Sequence, residues 1–141
     1  MHILIVEDDE AQRRLLEHFL TLNGHTSCWA ATGEAALGLM RTEPIDLVLL
    51  DLHLEGSRIQ GWDLPLEKMR NPRMRDVPFI VTSGEDVGAI RDERMRDPLG
   101  SCVVMLGKPL DLVLLLYYIG RFDPASRPEI PFEDDEPDTK V

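Results

Sequence analysis

The stretch Ile45-Asp46-Leu47-Val48-Leu49-Leu50-Asp51-Leu52-His53-Leu54-Glu55-Gly56 decides how this chain is read. Five of the six residues before Asp51 are apolar, and the run is shorter than a typical helix. Such a run predicts a strand buried on both faces, as in a parallel sheet. It ends on a lone carboxylate and passes into a glycine-containing loop. Sheets of α/β proteins bind ligands at the carboxyl ends of their strands. Asp51 is therefore either a strand-end turn residue or a nucleophile.

Working outward, the same pattern recurs. Ile3-Leu4-Ile5-Val6 predicts a first buried strand that ends at Glu7-Asp8-Asp9. Leu15, Leu16, Phe19 and Leu20 then follow at helical spacing. Asp9 with Gln12 forms a candidate capping box, and Asn23-Gly24 closes that helix. A weaker strand is expected over His25 to Ala31, then a short helix from Gly33 to about Arg41, capped by Thr32 and broken at Glu43-Pro44. Beyond Asp51 comes a long polar loop from His53 to Gln60. An irregular helix over Gly61 to Met69 contains Pro65. Phe79-Ile80-Val81 predicts a fourth strand ending at Thr82-Ser83-Gly84, followed by a charged helix from about Glu85 to Arg96. Cys102 to Leu106 predicts a fifth strand ending at Gly107-Lys108-Pro109, and Leu110 to Tyr118 a last helix. Alternating strands and helices imply a parallel sheet covered on both faces. The expected organisation is one domain over residues 1–120 and a disordered tail over 121–141, carrying four prolines and the acidic run Glu133-Asp134-Asp135-Glu136.

Composition excludes several classes. A formal net charge of -11 argues against binding nucleic acid through its phosphates, which takes basic patches. The small basic cluster of Arg70, Arg73 and Arg75 does not offset it, and reads as a solvated loop. Cys28 and Cys102 form no disulfide framework and read as buried reduced thiols. His2, His18 and His25 show no ligand spacing and read as structural. The chain starts on a strand-like run rather than a signal peptide, and no apolar stretch is long enough to span a bilayer, so a cytoplasmic protein without membrane insertion is expected.

In a parallel sheet, every strand's carboxyl end lies on one edge. That edge would gather Glu7 and Asp8 from the first strand, Asp51 from the third, Thr82 and Ser83 from the fourth and Lys108 from the fifth. Three carboxylates repel one another unless a cation joins them. A hard divalent ion, completed by water and a backbone carbonyl, would do so. Beside a metal and a lysine, an aspartate can attack phosphorus and form an aspartyl phosphate. Taken singly, each group has a plainer reading: helix-capping acids, a turn residue, a capping hydroxyl, a surface lysine. Their joint order is what points to chemistry.

On these residues the chain resembles the receiver domain of two-component response regulators, in its stand-alone, chemotaxis-receiver-like form. The resemblance runs from about Ile3 to about Ile119. It rests on the first strand with its acids, Val48-Leu-Leu-Asp-Leu, Pro78 with its strand and Ser83-Gly84, and Lys108-Pro109. It implies a flavodoxin-like, doubly wound five-stranded parallel sheet of order 2-1-3-4-5 with five helices. It implies that Asp51 is the phosphoacceptor, and that Mg²⁺ is held by Asp8, Asp51 and the backbone carbonyl of His53, with Glu7 acting through water. It makes Ser83, in preference to Thr82, the switch hydroxyl, and Lys108 the phosphate-contacting lysine. The phosphodonor would be a sensor histidine kinase or histidine phosphotransfer protein, and the only enzymatic activities self-phosphorylation and autodephosphorylation. At this length, output through protein–protein contact is expected rather than through a DNA-binding domain.

Three features depart from the family's pattern. Glu55 stands where a proline is usual, Gly61 comes about two residues late, and Met105 and Leu106 replace the aromatic that usually precedes the lysine. The last helix, 110–119, is apolar nearly all round, which suits either deep packing or a homodimer or partner interface. Two rival functions follow: a pseudo-receiver binding module whose switch ignores phosphate, and a Mg²⁺-dependent aspartyl phosphatase. The phosphatase reading lacks the second acid usual two places after the nucleophile, where His53 stands.

Overall fold

The computed structural model describes residues 1–54, 56, 64, 67, 70–84 and 103–123. The chain divides into two compact units, Met1–Lys108 and Pro109–Val141.

In the first unit, β1 (His2–Val6), β2 (Thr26–Ala30), β3 (Leu47–Asp51), β4 (Phe79–Ser83) and β5 (Val103–Gly107) form one sheet. All neighbouring pairs are parallel, and the order is β2-β1-β3-β4-β5. This is the expected α/β flavodoxin-like topology. Strands β3 and β4 are buried along their whole length. Both faces must therefore be covered, which explains their near-continuous apolar sequence. Strand β2 lies on the sheet's edge, and only Ala30 within it is buried. Cys28 is accordingly half-buried rather than buried as expected.

Alternation along the strands sorts the core. Leu4, Val6, Val48, Leu50, Phe79, Val81 and Met105 join one apolar cluster with Ala36 and Met40 of α2 (Gly33–Thr42). Ile3, Ile5, Leu47, Leu49 and Ile80 are equally buried and alternate onto the opposite face. Helix α1 (Glu10–Leu22) contacts β1 and β2 and buries Leu16 and Leu20 outside that cluster.

Local chemistry sets the helix ends. Asp9 Oδ1 accepts from the Ala11 and Gln12 backbone N–H groups at 2.9 and 3.2 Å. The reciprocal half of the expected capping box is replaced, because the Asp9 N–H donates to Glu7 Oε2 at 3.2 Å. Gly24 takes a φ of 85°, a left-handed conformation that favours glycine, and its N–H closes α1 on Thr21 O. Thr32 Oγ1 accepts from the Ala35 N–H and caps α2 as expected.

The second unit holds α3 (Leu112–Phe122), two residues later at its start than the sequence suggests and four later at its end. Asp111 sets that start, since its Oδ1 accepts from the Val113 and Leu114 N–H groups at 2.9 and 3.2 Å. The apolar surround of the helix is unevenly exposed: Leu115 and Ile119 are buried, whereas Val113 is 74% exposed. Leu64 and Glu67 are helical, within the expected irregular helix over 61–69. The remainder of that helix, most of the 53–60 loop, the helix over 85–96, Cys102 and tail residues 124–141 lie outside the described residues. No described helix is long and apolar enough to cross a membrane.

Candidate functional site

The chain crosses from β1 to β2 on one side and to β3 on the other, so the β1–β3 boundary is the topological switch point of the sheet. In open α/β sheets the ligand crevice lies outside the strand ends at such a point. Register carries the groups there. Val6 pairs with Leu50, so Glu7 and Asp51 are the next positions on adjacent strands. Asp51 pairs with Thr82, and Ser83 with Gly107, which leaves Lys108 one residue beyond.

Glu7 and Asp51 are buried, Asp8 is half-buried, and one carboxylate oxygen from each lies within 4.8 Å of the others. Lys108 Nζ lies 3.2 Å from Asp51 Oδ2 and 3.9 Å from Glu7 Oε1. The opposite oxygen of Asp51, Oδ1, accepts from the His53 N–H at 3.3 Å. The His53 side chain is exposed. The Lys108 backbone N–H donates to Ser83 O at 2.8 Å, and the Leu52 N–H to Thr82 O at 2.9 Å, so the strand pairing continues into the site.

The electrostatics are unbalanced. Among the described residues, Lys108 meets two of the three carboxylates, Glu7 and Asp51. Burial, then the Asp51 charge, pushes the Glu7 carboxyl up to about 7, with the Asp9 N–H and Lys108 offsetting part of that rise. The donor set is all oxygen, which suits a hard cation of the Mg²⁺ or Ca²⁺ kind. Octahedral Mg²⁺ at about 2.0–2.1 Å would space ligand oxygens by roughly 2.9–4.2 Å. The separations here fit that with small side-chain adjustments.

The two candidate hydroxyls are distinguishable. Thr82 Oγ1 donates to Leu50 O at 3.4 Å, tying β4 back to β3. Ser83 is fully buried at the strand's last position. Sequence reasoning missed the Asp9 N–H that orients Glu7. Its signal was present in the Glu7-x-Asp9 spacing but masked by the capping role of Asp9.

A central carboxylate flanked by acids, a lysine and a β4 hydroxyl, at the switch point of a 2-1-3-4-5 sheet, defines the receiver class of signalling domain. The chain belongs to the response regulator receiver domain family, whose pattern matches residues 3–114. It is 33% identical over 88 residues to the transcriptional regulatory protein AfsQ1 of Streptomyces coelicolor, covering 62% of this chain and 38% of AfsQ1. It is 38% identical over 88 residues to the transcriptional activator protein IrlR of Burkholderia pseudomallei, covering 62% of this chain and 37% of IrlR. The chain thus spans little more than a third of these relatives. Among solved structures, it resembles the receiver domain of NtrX from Brucella abortus at 27% identity and TM-score 0.72, covering 85% of this chain and 96% of that one. It also shares its fold with the receiver domain of the sensor histidine kinase PA1611 from Pseudomonas aeruginosa (22% identity, TM-score 0.73, covering 86% and 95%). That structure has a magnesium ion coordinated in its active-site cleft.

Proposed function

We propose that Asp51 is the phosphoacceptor of a two-component relay and that the carboxyl edge of the sheet is its reaction site. The observation that carries this is the buried Asp51 carboxylate with Lys108 Nζ at 3.2 Å and Glu7 and Asp8 at ligand distance. Asp51 attacks the phosphorus of a phosphohistidine on a sensor histidine kinase or phosphotransfer protein. An O–P bond forms, the N–P bond breaks, and the histidine leaves with its electron pair. Lys108 follows the charge from the carboxylate to the transferring phosphoryl oxygens. Ser83, five residues after Pro78 and at the last position of β4, supplies the hydroxyl for one of those oxygens.

Asp8, Asp51 and the His53 carbonyl would hold Mg²⁺, with Glu7 contributing through water. When bound, the ion neutralises carboxylate repulsion and charge on the phosphoryl group. Attack of water on phosphorus later returns the carboxylate and releases inorganic phosphate. Phosphorylation places new charge at the strand edge and biases a two-state surface toward protein–protein output, in a cytoplasmic setting.

Incubation with Mg²⁺ and a small phosphodonor, resolved on a phosphate-affinity gel, tests this. An acid-labile shift in the wild type that Asp51→Asn abolishes is the expected result. A folded wild type that never shifts, beside a control receiver that does, would transfer the reading to a phosphate-independent pseudo-receiver. The replacement of the usual aromatic by Met105, which is packed into the core, is the observation favouring that alternative. Steady turnover of a phosphomonoester would favour the aspartyl phosphatase.

A further inference from the structure

A second group of side chains converges at the opposite end of β1. His2 opens β1, Cys28 sits in the middle of β2, and Glu43 is the C-cap residue of α2. One donor atom from each lies within 4.8 Å of the others, and all three residues are half-buried. His2 is five residues from Glu7, about 16 Å along an extended strand, so this cluster is distinct from the carboxyl edge.

From this convergence we infer that His2, Cys28 and Glu43 form a site for a borderline divalent transition ion of the Zn²⁺ kind. An imidazole, a thiol and a carboxylate together match such an ion and not Mg²⁺, which takes oxygen alone. Three protein ligands leave a fourth tetrahedral position for water.

The surroundings of His2 supply an independent reason. Its Nδ1 lies 2.8 Å from Thr26 Oγ1, so a hydroxyl is in place to accept an Nδ1–H when Nε2 coordinates an ion. Nε2 is the nitrogen that faces Glu43, at 3.5 Å from Oε1. Bond lengths of about 2.0–2.3 Å space tetrahedral ligand atoms by roughly 3.3–3.8 Å. The His2–Glu43 separation already falls in that range, and the other pairs need a contraction of about 1 Å at most. The strand that carries His2 is anchored, since the His2 backbone N–H donates to Asp46 Oδ2 at 2.7 Å. Glu43 is held by its own N–H on Leu39 O at 2.8 Å, and Pro44 ends the helix directly after it.

The test is a Co²⁺ titration of the untagged 141-residue protein with Mg²⁺ in excess, followed by Zn²⁺ competition. Co²⁺ should bind at about one equivalent with a thiolate-to-metal charge-transfer band and the visible absorption of a tetrahedral ion, and Zn²⁺ should displace it. Cys28→Ser should abolish the band. His2→Gln, Glu43→Gln and Thr26→Val should each weaken binding by about tenfold or more. Asp51→Asn should leave the band and the affinity unchanged. Far-UV circular dichroism checks that each variant is folded, and the exposed or half-exposed positions of Thr26 and Glu43 keep the test open if Cys28→Ser destabilises the sheet. The absence of a charge-transfer band in the wild type would overturn the site. So would a band whose affinity survives both His2→Gln and Glu43→Gln, which would mean a lone thiol binding metal adventitiously. An unchanged affinity in Asp51→Asn alone would separate this result from any failure of the phosphoacceptor reading.

Discussion

Lys108 Nζ stands 3.2 Å from Asp51 Oδ2 and also reaches Glu7 Oε1 at 3.9 Å, so one ammonium serves two buried carboxylates from two different strands. Removing it leaves those acids facing each other. Lys108→Met should slow phosphorylation of Asp51 by about 10²–10³-fold, the usual scale for losing one preorganised charge contact. A time course on a phosphate-affinity gel reads this directly, and a rate within twofold of wild type would refute the assigned role.

Glu7 gives a pH dependence with a definite sign. Its carboxyl is pushed from its ordinary value of 4.5 up to about 7 in the folded protein. Between those values the native state holds the proton more tightly than the unfolded chain. Its contribution to stability is therefore full below about 4.5 and lost as pH rises through about 7. Without divalent ions, the unfolding midpoint in urea should fall across this window, with a slope approaching ~1 proton per molecule. Glu7→Gln should flatten that slope, and an unaltered slope would show that Glu7 is not the titrating group.

Divalent ions should act in the opposite direction. Mg²⁺ at about 100 times its dissociation constant should stabilise the fold by ~2.7 kcal/mol if it binds only the native state. Asp8→Asn should remove most of that gain. Thermal melts in MgCl₂ and in NaCl of matched ionic strength make the comparison, and equal midpoints in the two salts would count against the acidic cluster as a metal site.

Ser83 and Thr82 should behave differently despite being neighbours. Thr82→Val breaks a 3.4 Å hydrogen bond to Leu50 O and should lower stability by about 1 kcal/mol while leaving the phosphorylation rate near wild type. Ser83→Ala should slow phosphorylation or dephosphorylation. The reverse pattern would exchange their roles.

The core supporting Asp51 can be probed one residue upstream. Leu50 is fully buried, and Leu50→Ala should cost about 2–5 kcal/mol in urea denaturation. Val113→Ala, at a position 74% exposed, should change stability by no more than ~0.5 kcal/mol.

Much of this architecture is legible in the amino-acid order, because the forces that write it are local. A run as short as Leu47-Val48-Leu49-Leu50, bounded by Asp46 and Asp51, predicts a buried strand, and the carboxylate that ends the run marks the sheet edge. Capping at Asp9 and Thr32 follows from side chains that reach backbone N–H groups two or three residues on. The start of α3 was harder to place. Leu112 to Tyr118 carries no charged residue, and the geometry of Asp111 identifies the first turn.

By itself, then, the sequence determined the strand runs, the parallel α/β class and the groups available at the carboxyl edge. Each of these depends on residue type and short-range periodicity. Only the tertiary structure decided how those groups are joined. It assigned Lys108 to two carboxylates, the Asp9 N–H to Glu7 and the Thr82 hydroxyl to Leu50 O. It also drew together His2, Cys28 and Glu43, whose sequence spacing carries no ligand pattern. The physical reason is register. Parallel strands are paired by backbone hydrogen bonds between segments distant in the chain, and one residue of slip would turn every side chain to the other face.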